Sequence, residues 1–162
     1  MALTPTQLAT LKAAILADPV LAAYPAGAAS SYPIAAALNL TAVPTFIVWR
    51  TSVDPDEVMR NGMDWTRVDN LSIGKARIWE WMTRLGTFNP SKANIRAGID
   101  ATWVGTAADL AVRAVVYTHC KRSATRAEKL FATGTGSDAD PAILVVEGNL
   151  SPDDVQQARE LP

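Results

Sequence analysis

The sequence predicts a mainly α protein: a compact helical bundle with one or two short β-strands and a C-terminal strand-helix extension. Three observations carry that expectation. Cap-and-proline pairs recur along the chain (Thr4-Pro5, Asp18-Pro19, Asp54-Pro55, Ser151-Pro152), apolar residues repeat at helical spacing between them, and β-branched runs are confined to two short stretches. With 162 residues, 49% of them apolar and 19% charged, the chain is long enough for one core and globular in composition.

Taken in order, Thr4, Pro5 and Gln7 open a first helix whose Leu8, Leu11, Ile15 and Leu16 share a face. Asp18-Pro19 starts a short second helix to about Tyr24, broken by Pro25 and Gly27. Ser30 or Ser31 caps a third, carrying Ile34, Ala37 and Leu38. Residues 41–52, with Val43, Phe46, Ile47, Val48 and Trp49, predict a short strand or an extended connector. Asp54-Pro55-Asp56-Glu57 opens a short helix with acids against the helix dipole, ending near Asn61-Gly62.

The clearest amphipathic helix spans 71–85, with Leu71, Ile78, Met82 and Leu85 along one stripe, Trp79 and Trp81 flanking it, and Arg77, Glu80 and Arg84 opposite. Asn89-Pro90 caps another helix containing Ile95 and Ile99. Thr106 and Asp109 form a capping-box pattern ahead of a helix, 107–118, that is apolar nearly all round, which predicts a central position or one between the domain and a partner. Ala124, Ala127, Leu130 and Phe131 continue as a helix or its extension. The Gly-, Ser- and Asp-rich stretch 133–140 predicts a mobile loop. Then residues 142–147 read as one strand, turned by Gly148-Asn149, before Ser151-Pro152 opens a terminal helix.

This pattern predicts a helical domain over 1–132 and an interaction arm over 133–162. A lone strand leaves backbone groups unmatched, so it must pair with 46–49 or with another chain.

Fifteen basic against sixteen acidic residues give a net charge of −1, which supplies no general attraction to nucleic acid or anionic lipid. The local basic cluster Lys121, Arg122, Arg126 and Lys129 fits a solvated helix face. A single cysteine, Cys120, excludes an intrachain disulfide and lacks partners for a zinc site. No apolar run is long enough to span a bilayer, and residues 1–18 lack the basic start and cleavage site of a signal peptide, which predicts synthesis in a reducing cytoplasm.

Candidate chemistry is sparse, and no cofactor or metal is expected. His119-Cys120 places a base and a nucleophile side by side, but helical neighbours point about 100° apart; His119 fits a packing role. Asp138 and Asp140 lack a calcium-loop ligand ladder, and 133–136 lacks the lysine of a phosphate loop. Glu80, beside Trp79 and Trp81, is the sole candidate for a carboxylate acid, yet sits on the polar helix side. A helix-turn-helix over 123–134 is disfavoured by the neutral charge and the turn-poor junction. Trp49, Trp65 and Trp103 fall at segment ends, where they fit core filling first and subunit anchors second.

Three stretches, 61–81 (NGMDWTRVDNLSIGKARIWEW), 89–101 (NPSKANIRAGIDA) and 103–140 (WVGTAADLAVRAVVYTHCKRSATRAEKLFATGTGSDAD), resemble a family of small proteins encoded in the structural-gene modules of tailed bacteriophages and prophages. The likeness covers most of the chain but contains no active-site motif. It implies a non-enzymatic virion protein, a head–tail connector or adaptor forming a homo-oligomeric ring, or else another virion or tail-assembly component. The implied partners are its own copies, the portal, and tail-completion or tail-terminator proteins, with no membrane and no specific nucleic acid, though packaged DNA would lie nearby. The candidate interface residues are Trp49, Thr133, Thr135, Asp138, Ile143 and Val145. The rival reading is a small lytic or processing enzyme using Glu80 or His119 as acid or base.

Overall fold

Thr4 opens α1 (Pro5–Ala17) with a full capping box: its side chain accepts from the Gln7 N–H while the Gln7 side chain accepts from the Thr4 N–H. The computed structural model describes residues 3–84 and 86–162 and shows ten α-helices among them. Asp18 caps α2 (Pro19–Ala22), a 3-10 turn leads into α3 (Ser31–Leu38), and Asp54 caps α4 (Pro55–Arg60). The chain continues through α5 (Trp65–Asp69), α6 (Ile73–Arg84), α7 (Ala93–Thr102) and α8 (Ala107–His119), and ends with α9 (Arg126–Phe131) and α10 (Pro152–Glu160). The mainly helical fold read from the sequence is what the structure shows.

Two three-residue strands, β1 (Ile47–Trp49) and β2 (Lys121–Ser123), form a two-stranded sheet. Ala124 N–H donates to Phe46 O at 2.8 Å, and Arg50 N–H to Cys120 O at 2.9 Å. Partner numbers that fall as the other strand's rise make the pair antiparallel.

Two compact units divide the chain, one formed by residues 1–48 and 123–162, the other by 49–122. In the first, α10 packs on α1 and α3, and α9 on the same two helices. Its core joins Leu11, Ile15, Ile34 and Leu38 to Phe131, Val146, Leu150 and Val155. In the second, α8 is the shared element, touching α4, α5 and α7, while α6 packs on α7. Its core gathers Val58, Trp79, Met82, Ile99, Trp103, Val112 and Val116.

The structure thus draws the domain boundary elsewhere than at 132/133. The segment 133–162 is no separate arm, because α10 supplies Val155 and Ala158 to the first core and the Asn39 amide clasps Leu150 through two 2.9 Å bonds. Nor do residues 142–147 form a full strand. A single parallel bridge joins Ala142 to Val48 and a single antiparallel one joins Ile143 to Thr133, so the pairing partner lies within the chain. The alternation does persist: Ala142 and Val146 are buried, whereas Ile143 and Val145 face outward.

Other local differences have plain causes. Asn89 does not cap α7; its Oδ1 accepts from the N–H and hydroxyl of Ser91, closing a side-chain turn before Lys92, the residue that precedes the helix start at Ala93. Residues 124–131 do not prolong α8, because Thr125 and Glu128 make their own capping box and restart a helix. The cluster of Lys121, Arg122, Arg126 and Lys129 is accordingly split between β2 and α9. Of the apolar ring on α8, Val112 and Val116 are buried and Leu110 is exposed. Leu85, expected on the stripe of α6, lies outside the described residues.

Candidate functional site

Alternation on α6 sends neighbouring aromatic residues in opposite directions. Trp79 is 5% exposed and stands edge-on to Trp103 with ring centroids 5.3 Å apart, whereas Trp81 is 69% exposed. Ile73 and Ile78 on the same helix are also exposed. Between α6 and α7 lies an open groove of about 430 Å³, lined by Ile78, Trp81, Met82, Phe88, Ile95 and Gly98 and by the polar Thr87, Asn89, Lys92 and Asn94.

The groove has a fixed floor. Phe88 exchanges two backbone hydrogen bonds with Val53, at 2.9 and 3.0 Å, and Arg96 Nη1 donates to the carbonyls of Pro90 and Ser91 at 2.7 and 2.8 Å. These bonds hold the connection between α6 and α7 in place. Met82 Sδ and Ile78 Cγ2 lie 3.5 and 3.6 Å from where a Cβ on Gly98 would stand, so the small residue keeps the groove deep. What the arrangement offers chemically is apolar and aromatic contact beside basic charge, with no acid–base pair.

Trp49, a candidate interface residue, is instead packed inside the second unit. The Arg96 guanidinium lies 5.0 Å from its ring centroid, Lys121 Nζ 5.8 Å, and the Tyr117 ring 5.4 Å. At 8% exposure it is core filling, held between cations and an aromatic ring. Trp103 is fully buried as well, and Trp65 is 58% exposed.

The stretch expected to be a mobile loop is tied down. Thr135 Oγ1 donates to Asp140 O and Oδ2 at 2.9 and 3.0 Å, Ile47 N–H donates to Gly136 O at 2.7 Å, and Thr133 exchanges two backbone bonds with Ile143. Gly136 is required there, since a Cβ would stand 2.2 Å from the Phe46 ring. Thr133, Thr135 and Asp138 remain exposed, as do Ile143 and Val145. The candidate interface residues of this region are therefore grouped on ordered backbone, apart from Trp49.

The residues considered for chemistry occupy structural settings. His119 Nε2 lies 3.0 Å from Asn61 O; a carbonyl only accepts, so that nitrogen carries the proton. Nδ1 faces Glu57 Oε1 at 3.5 Å, and Glu57 in turn accepts from Arg50 at 2.7 Å. The Arg50 hydrogen bond holds the Glu57 carboxyl below its ordinary range. Cys120 is fully buried, and that burial pushes its thiol up to about 12. Glu80 is exposed and bonded to Arg84 at 3.1 Å on the helix surface. Among the described residues, no three His, Cys, Asp or Glu side chains converge as a metal site, and no helix is long and apolar enough to cross a membrane.

The chain matches no family model, no curated protein and no solved structure in comparisons of sequence and fold.

The exposure of Trp81 escaped sequence reading because Trp79 and Trp81 flank the stripe equally on a helical projection. One signal was overlooked: Thr125-x-x-Glu128 is a capping-box pattern visible in the sequence.

Proposed function

We propose that the chain is a non-enzymatic structural subunit of a tailed-phage virion, a head–tail connector that associates with its own copies in a ring and contacts the portal and tail-completion or tail-terminator proteins. The observation that carries the reading is the groove between α6 and α7 with Trp81 standing 69% exposed at its edge. An exposed tryptophan beside an apolar cleft is the pattern of a buried contact in an assembly, since Trp is enriched among residues that dominate binding energy. The segment resemblance to phage structural-module proteins supports the same reading, and His119, Cys120 and Glu80 are each engaged in packing or surface pairing.

Mass spectrometry of purified particles of the phage that carries the gene tests the proposal. The chain is expected among the virion proteins in several copies per particle. Its absence from intact particles, with the other structural proteins present, ends the reading.

A further inference from the structure

Of the asparagines in the chain, Asn61 alone is followed by glycine. An asparagine side chain can be attacked by the backbone nitrogen of the next residue, and glycine, having no Cβ, lets that nitrogen approach most freely. Asn61 also ends α4, and Gly62 makes the turn that follows with φ +95°. The turn accounts for the pair; the reactivity comes with it.

Both residues are exposed, and among the described residues the Gly62 N–H donates to no group. The attacking nitrogen is therefore free of competing bonds. Asn61 itself is held twice. Its Nδ2 donates to Glu57 O at 2.7 Å, one helical turn back, and its own carbonyl accepts from His119 Nε2 at 3.0 Å. In an L-residue a ψ of 76°, the value at Asn61, sets the following nitrogen on the far side of the Cα–C bond from Cβ. Ring closure requires rotation about that bond. Because the peptide is planar, the same rotation carries the Asn61 carbonyl away from His119.

We infer that Asn61 is a self-modification site of this chain, and that the His119 hydrogen bond to its carbonyl is the latch that sets the rate. Once the latch opens, Gly62 N bonds to Asn61 Cγ, the Cγ–Nδ2 bond breaks, and Nδ2 leaves as ammonia with the proton of the Gly62 N–H. The cyclic imide so formed takes up water. Attack at the former side-chain carbonyl yields aspartate; attack at the backbone carbonyl yields isoaspartate, with the chain rerouted through the side chain. Water is the one co-reactant. Either product sets a carboxylate at the C-terminal end of α4, where it opposes the helix dipole and can no longer donate to Glu57 O. His119 acts here as a positioning residue on the neighbouring backbone. The inference is independent of the assembly role.

Peptide mapping by mass spectrometry tests it on wild type, His119→Gln and His119→Leu incubated folded at neutral pH, with wild type in urea as the unlatched reference. Replacement of NH2 by OH is read at each asparagine, and fragmentation separates isoaspartate from aspartate. Glutamine keeps a terminal N–H donor and leucine has none. Circular dichroism checks that each protein is folded, and His119→Ala replaces the leucine variant if that one is not.

Asn61 is expected to convert ahead of every other asparagine. Folded wild type should react at least ~5-fold more slowly there than wild type in urea, His119→Leu at least ~5-fold faster than folded wild type, and His119→Gln within about 2-fold of it. Earlier conversion of another asparagine removes the site, and equal rates in folded and urea-treated wild type remove the latch. A leucine variant that reacts no faster than wild type also removes the latch, and one that reacts more slowly makes His119 a base instead.

Discussion

Arg67 grips one oxygen of Asp109 with two donors: Nη2 lies 2.6 Å and Nε 3.1 Å from Oδ1, while Oδ2 accepts from the Thr106 backbone N–H at 3.1 Å. One carboxylate thus links α5 to α8 and closes the capping box of α8.

The Arg67 hydrogen bond, followed by those of Thr106, lowers Asp109 from an ordinary value of 3.8 to about 2. The folded-state value is the lower one, so the stabilisation is present above 3.8 and is lost as the pH falls from 3.8 through about 2. Asp109→Asn is expected to be less stable than wild type at neutral pH, with the difference shrinking across that window. Urea unfolding at a series of pH values measures it, and a difference that stayed constant would contradict the assignment.

Glu128, 2% exposed, accepts from Thr125 N–H through Oε2 and from Gly148 N–H through Oε1, each at 3.0 Å. Removing both acceptors leaves two backbone donors unmatched, so Glu128→Ala is expected to cost about 3 kcal/mol in chemical denaturation. Thr125→Ala, which loses only the cap, costs about 1 kcal/mol. Equal losses would show that the reach to Gly148 contributes nothing.

Gly136→Ala is expected to destabilise by about 2–4 kcal/mol, since the residue has φ +68° and the new Cβ would overlap the Phe46 ring. In a Phe46→Ala background the same change should cost less, because the clash is gone and only the backbone strain remains. Identical penalties in the two backgrounds would rule out the ring contact as the cause.

Trp79→Ala and Trp81→Ala separate two residues that are alike in sequence. The first empties a buried site against Trp103 and is expected to cost about 3–5 kcal/mol in thermal or urea unfolding. The second removes exposed surface and should change stability by no more than about 0.5 kcal/mol. A large loss at Trp81 would mean that its ring supports the fold rather than facing solvent.

Elements whose signals are local were legible in the sequence. Thr4, Asp18, Asp54, Thr106 and Ser151 each cap the helix expected of them, since a cap bonds to N–H groups two or three residues away. The helix α5 was missed although Asp64 caps it, because five residues carry too little periodicity to stand out. Site residues were less legible. Residue type does not separate Trp49 from Trp81, yet one is enclosed by Arg96, Tyr117 and Lys121 and the other is open.

By itself the sequence determined where α1, α2, α4, α8 and α10 start, that no disulfide ties the chain, and that apolar residues suffice for a core: these depend on residue identity and short-range spacing. Tertiary structure alone decided that residues 123–162 join residues 1–48 around one core while 49–122 form another. It alone decided that Thr133 rather than a foreign strand meets Ile143, and that positive and negative charge fall on different units. These outcomes depend on contacts between residues up to some 150 positions apart, such as Lys12 Nζ with Leu161 O. Burial area and backbone pairing choose such contacts over the whole chain at once, and no local pattern records the choice.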